Sequence, residues 1–320
     1  MKLFNLNILI LLCICGNVFA INSSGLVDNY EKSTKILWHS SFEVHSIISM
    51  EGQDNPGFQA FERTAKIYRD GPRISVISQD DALMKGGQRF SEKRTCILDD
   101  KAIIIASEQQ GGAFFDSNLA KWKQFAFAGF GGAIITEGSV VGDDDAKLFT
   151  ILRESNLQMR NEMENIDGHQ VYVLEGKGKR GKIRIWLDPN ANFLPRRLEI
   201  FKTDEDLLNG RPVKLAKEDN IIKNKQLKEY SLKVDEVKIQ KVDDMNIVTD
   251  ANITEIRTYA DNYKITAHYP FHILKINLKP DFASVKAFDI NLPDGTPITN
   301  NNFPGSKFEV RQGKIVSAGN

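Results

Sequence analysis

Of three cysteines, Cys13 and Cys15 lie within the first twenty residues, so Cys96 is the thiol that could act as a nucleophile in the rest of the chain. A reactive thiolate needs a helix N-terminus or nearby cations in a partly open site. Arg94-Thr95-Cys96-Ile97-Leu98 instead reads as strand, where a lone cysteine behaves as a small buried apolar residue. His268 and His272 have the three-residue gap of zinc ligands on a helix, but Pro270 between them would interrupt that helix. In a strand the two would share a face, yet no cysteine or acidic cluster joins them. His39, His45 and His169 stand in strand patterns or beside turns, so all five histidines are expected to be structural. Asp143-Asp144-Asp145 lacks the alternating ligands, sixth-position glycine and closing glutamate of a calcium loop, and suits a helix start instead. Gly111-Gly112 and Gly129 to Gly132 are not followed by lysine and a hydroxyl residue at phosphate-loop spacing, and read as loops or hinges. There is no Gly-x-Ser-x-Gly elbow. The expectation is a protein without catalytic residues, metal or cofactor: a binder, not an enzyme.

The elements that would carry a binding face are mostly strands. Ile183, Ile185 and Leu187 alternate with Lys182, Arg184 and Trp186, the period of a half-buried strand. Asp188-Pro189-Asn190 supplies a turn, and Pro195 opens a second strand, Leu194 to Phe201. Trp186 is expected to pack, and Arg196 and Arg197 to lie on the solvated face. Phe42 to Met50 and Phe61 to Arg69 alternate as well, and Asp70-Gly71-Pro72 turns the latter into Arg73 to Ile77. Further strands are predicted at 94–98, 102–106, 157–166, 168–175, 232–242, 252–259, 263–268, 272–278, 307–310 and 314–316. Residues 202–230 are charged and aperiodic and read as a surface excursion. No fixed-period repeat points to a propeller or solenoid.

Helical signals are few. A short amphipathic helix is expected over Asp28 to Lys35, and another over Ala146 to Glu154 with Leu148, Ile151 and Leu152 apolar. Between these, Asp116-Ser117 can cap a helix from Leu119 to Ala128, stopped at Gly129. Phe115, Leu119, Trp122 and Ala126 recur at helical spacing, and Phe125, Phe127 and Phe130 add apolar area. A helix apolar on more than one side must be covered by protein, ligand or membrane. Phe115, Leu119, Trp122, Phe125 and Phe130 are therefore the expected lining of an apolar cavity under a lid that moves about Gly129 to Gly132.

Residues 1–20 have the form of a secretory signal: Lys2, an apolar run to Cys15, and Val18-Phe19-Ala20 at the cleavage position. Neither Cys13 nor Cys15 follows the small residue a lipoprotein signal needs. A soluble periplasmic or secreted protein is expected, with residues 21–320 as one domain. Without Lys2 the formal charge is 41 − 42 = −1, with both signs interspersed. That balance offers no basic footprint for nucleic acid and no basic cluster for an anionic membrane.

Asp167-Gly168-His169-Gln170-Val171-Tyr172-Val173-Leu174, the turn at Lys179-Arg180-Gly181 and Ile185-Trp186-Leu187-Asp188-Pro189 carry a resemblance. With Tyr68-Arg69-Asp70-Gly71 and Pro293-Asp294-Gly295-Thr296, they make the chain, over roughly residues 40–200, similar to the LolA/LolB/RseB-like superfamily of periplasmic proteins. The likeness is greatest to its planctomycete-type secreted relatives. The resemblance implies an α+β, mostly β fold: a strongly curved antiparallel sheet, an incomplete barrel, whose concave apolar face is covered by a few helices. LolA carries the acyl chains of lipoproteins, and RseB senses lipoproteins and lipopolysaccharide while restraining an anti-sigma factor. The implied function is non-catalytic binding of an acylated or lipidic ligand; the alternative is a sensor or scaffold for a protein partner.

Overall fold

The computed structural model describes residues 22–52, 58–84, 87–98, 103–109, 112–116, 146–216, 225–290, 292–300 and 305–318. The chain opens with helix α1 (Ser23–Lys35), capped by Asn22, whose side chain accepts the amide of Gly25 at 2.8 Å. Capping lets it begin five residues before the position that apolar spacing alone suggests. A 3-10 turn (Ile36–Trp38) leads into β1 (His39–Glu51), followed by β2 (Phe58–Asp70), β3 (Arg73–Met84), β4 (Arg89–Leu98), β5 (Ile103–Ser107) and β6 (Gly112–Asp116). Helix α2 (Leu148–Arg153) precedes the short β7 (Gln158–Met159) and β8 (Glu164–Ile166), then β9 (His169–Gly178), β10 (Gly181–Asp188) and β11 (Leu194–Thr203). A small ribbon, β12 (Leu207–Leu208) and β13 (Arg211–Pro212), separates these from the long strands β14 (Leu227–Val242) and β15 (Met245–Tyr259). The chain ends with β16 (Lys264–His268), β17 (Phe271–Asn277), β18 (Pro297–Asn300), β19 (Phe308–Arg311) and β20 (Lys314–Ser317).

Backbone pairing joins all but β12 and β13 into one sheet. Its order runs from β7 and β8 through β9, β10, β11, β14 and β15 to β16 and β17, then β1 to β6, β18, β19 and β20. The sheet is large and curved and does not close into a barrel. Among the described residues every pairing is antiparallel except β6 with β18, so the sheet is mixed where an antiparallel one was expected. Extra residues bend it: the register shifts at Glu43/Val44, Trp186/Leu187 and between Asp235 and Ile239, where Glu236 takes a left-handed φ of 52°. Such bulges increase local twist and turn a flat ladder into a curved one.

The main core fills the concave side. Leu26, Val27 and Tyr30 of α1 and Leu148, Ile151 and Leu152 of α2 pack with Ile185, Leu198, Leu232 and Ile253 of the sheet. Burial pushes the Tyr30 hydroxyl well above the usual tyrosine range. On the opposite side Val171, Val173 and Trp186 form a small cluster, so Trp186 packs as expected. At the far end Ile97, Ala106 and Ala113 are covered by Ile290, Ile298 and Val310 of the C-terminal segment.

Several expectations are corrected. Phe115 lies in β6 opposite Ile104, not at the head of a helix, and packs on the C-terminal cluster. Gly112 belongs to the same strand and is not a hinge. Residues 157–166 make two short strands, not one. The stretch 202–230 is not simply a surface excursion: Lys202, Val213, Leu227 and Tyr230 are buried. Lys202 donates to the Leu207 carbonyl at 2.6 Å, which folds the β12–β13 ribbon back over the sheet. Arg196 is drawn inward by Asp188 at 2.9 Å, because the bulge beside Leu187 rotates it off the solvated face. Leu119, Trp122, Phe125, Phe130, the Gly129 to Gly132 connector, Asp143 to Asp145 and the signal segment lie outside the described residues.

Candidate functional site

The concave side of β1 to β5 is built of straight cross-strand rows, because a side chain points to the same face as its register partner. Phe42, Ile67, Val76, Cys96 and Ile105 stand opposite one another in one apolar row. Cys96 is buried, and desolvation pushes its thiol up to about 12, so it is protonated and inert at neutral pH. Two rungs along the strands, Val44, Ala65, Ser78, Arg94 and Ser107 line up, and beyond them Ser46, Arg63, Asp80 and Glu92. The face therefore changes from apolar to charged along its own strands.

The charged row is sealed and internally paired. Arg63 donates to both oxygens of Asp80, at 2.6 and 2.8 Å, and the two side chains are 7% and 0% exposed. Arg94 pairs with Glu92, which also accepts the Ser107 hydroxyl at 2.7 Å. Each carboxylate thus meets a guanidinium, which offsets the desolvation of both. A second cluster sits on β15, where Arg257 donates to Glu255 at 2.5 Å and the hydroxyl of Tyr269, between β16 and β17, donates to it at 3.0 Å. Met50, Ile265 and Ala267 complete a hollow of about 10 Å³ beside it, room for one water and far short of an acyl chain.

Past the charged row the face turns apolar again. Ile48, Phe61, Ala82 and Phe90 form the next rung, with Phe61 half-buried beneath the Arg63 guanidinium at 4.8 Å and Phe90 42% exposed. The end of the concave side is thus a rim of Met50, Phe61, Phe90 and Tyr269 around two ion-pair clusters whose carboxylates are buried.

No family model and no curated protein matches the chain. Three solved structures similar to it are a DUF1329 family protein from Desulfovibrio piger, an uncharacterized conserved protein from Thermus thermophilus, and LprF from Mycobacterium bovis. The first is 11% identical over 80% of this chain and 92% of the other, at a TM-score of 0.39. The second is 9% identical over 86% and 97%, at 0.31. The third is 10% identical over 86% and 97%, at 0.28. None of these likenesses bears on what the chain binds.

Of the expected cavity residues, the structure places Phe115 alone, and it sits two strands beyond β4 rather than at this rim. The rim itself was legible in one respect. Gly71 and Pro72 form a two-residue turn, which sets Asp70 opposite Arg73 and hence Arg63 opposite Asp80. The histidines of the His268-to-His272 motif lie on different strands, opposite Ser49 and His45 of β1, and so stand about 13 Å apart along one outer face. His268 contacts Thr254 at 3.2 Å and His272 contacts Asp250 at 2.6 Å, so they do not converge. No described helix is long and apolar enough to cross a membrane.

Proposed function

We propose that this chain is an exported, non-catalytic binding protein for an acylated or otherwise lipidic ligand. The observation that carries the reading is the concave face itself, an apolar surface that ends in an aromatic rim beside buried ion pairs. An acyl chain laid on Met50, Phe61 and Phe90 would gain about 0.8 kcal/mol for each methylene buried. A polar headgroup would sit against Arg94 and Arg257, the partly exposed cations of the two clusters. The hollow at Glu255 is too small for an acyl chain, so entry requires the cover of the face to move, and ligand would be drawn to the open conformer. The signal-like first twenty residues support action outside the cytoplasm, and the resemblance to lipoprotein carriers supports the ligand class.

The test is purification of the untagged protein from its native compartment, followed by organic extraction and mass spectrometry. Near-stoichiometric lipid is the expected result. A stoichiometric protein partner with no lipid would instead favour the sensor or scaffold reading.

A further inference from the structure

On the outer face of the sheet, away from the concave side, His45 of β1 and His272 of β17 are direct register partners. Both point outward, with side chains 31% and 50% exposed. Directly opposed residues hold their β-carbons about 4.5–5.5 Å apart. Each ring is also held by a carboxylate. Glu62 of β2 is 2.8 Å from His45 Nε2, and Asp250 of β15, the register partner of His272, is 2.6 Å from His272 Nδ1. The result is a row of carboxylate, imidazole, imidazole and carboxylate running across four strands.

A carboxylate that accepts the N–H of a neutral imidazole fixes the tautomer and leaves the lone pair on the other nitrogen. Here those nitrogens are His45 Nδ1 and His272 Nε2. Metal-bound histidines are commonly oriented by such a carboxylate, which also raises ligand basicity. Imidazole pairs suit borderline divalent transition ions rather than calcium or magnesium, which take oxygen ligands. No group of three or more metal-ligating side chains occurs among the described residues, so the chain would supply two ligands and leave the remaining positions to water or an outside ligand. That would make the ion exchangeable, unlike the closed four-ligand sites that hold structural zinc.

We propose that His45 and His272 form a two-histidine surface site for Zn²⁺ or a similar divalent transition ion, with Glu62 and Asp250 as positioning residues. Titration of the untagged chain with ZnCl₂, followed by calorimetry and by the histidine NMR resonances, tests it. One equivalent should bind, with shifts confined to His45 and His272. Binding should be lost in His45→Ala and in His272→Ala, and kept in His268→Ala, which changes a histidine on the same outer face outside the pair. Asp250→Ala should weaken it by about tenfold. Binding should be weaker in acid than at neutral pH, because a protonated imidazole cannot ligate. All four side chains are at least partly exposed, so circular dichroism should show the variants folded; His272→Gln repeats the test with less loss of volume. Absence of binding in the parent chain, or an unchanged affinity in a folded His45 or His272 variant, overturns the site. Neither result touches the lipid reading, which concerns the other face.

Discussion

Asp80 and Arg63 are locked across the β2–β3 register by two hydrogen bonds, with the carboxylate wholly shielded from solvent. Removing one partner leaves the other charge buried without compensation, which costs more than the pair contributes. Asp80→Ala should lose about 3–5 kcal/mol in urea unfolding. Joint replacement of Arg63 and Asp80 by leucine should come out near neutral. If lipid co-purifies with the parent but not with a folded double variant, the pair serves the ligand and not the fold.

Gly181 joins β9 to β10 at a φ of 98°, and a β-carbon there would stand 2.3 Å from the Phe201 carbonyl oxygen. Gly181→Ala meets both a left-handed backbone penalty and a backbone clash that no side-chain rotation relieves, and should cost about 3 kcal/mol or more. Gly71→Ala is the control: its φ is also positive, at 60°, but the space around it is open, so about 1 kcal/mol is expected. Thermal unfolding of the two variants should therefore separate clash from backbone strain.

Those two glycines also mark how far the sequence could be read. Hairpins such as β2–β3 and β10–β11 are local: period-two alternation and turn residues within a few positions decide them, and the Arg63–Asp80 pairing follows from the Gly71-Pro72 turn. The His45–His272 pairing has no such signal, because it joins strands from opposite ends of the chain that no turn connects. Phe115 shows the opposite failure. Its helical spacing to Leu119 and Trp122 is real in the sequence, yet pairing with β5 and β18 holds it in a strand. Lys202 and Tyr230 read as solvated because their neighbours are charged, while alternate residues of β11 and β14 face the core.

Glu31 of α1 should make the helix pair acid-sensitive. Lys35 and then Arg153 hold its carboxyl below the ordinary value of 4.5, against a smaller opposing effect of burial. A carboxyl depressed by folding stabilises the native state above its unfolded pKa, and that contribution is lost as the pH falls through the lower folded value. Glu31→Gln should therefore unfold at a lower temperature than the parent near neutral pH, and the two should converge below the ordinary glutamate range. The pair is surface-lying, so the difference should stay below about 1 kcal/mol and shrink in salt. A gap that persists in strong acid would assign the effect to packing of α1 on α2.

At the rim, Phe90 separates ligand binding from folding. Phe90 belongs to the concave rung of Ile48, Phe61 and Ala82, yet remains 42% exposed. An aromatic ring half in water contributes little to the core, so Phe90→Ser should cost about 1 kcal/mol at most, far less than truncating a fully buried ring. If the rim receives acyl chains, the same change should weaken uptake of a fluorescent fatty-acid analogue severalfold, since it removes apolar contact where the ligand enters. Leu83→Ser, at the neighbouring position of β3 and on the opposite face, should leave uptake unchanged while removing a comparable exposed apolar group. Equal uptake by the parent and both folded variants would move the ligand away from this end of the sheet. A loss in the Leu83 variant alone would place it on the outer face instead.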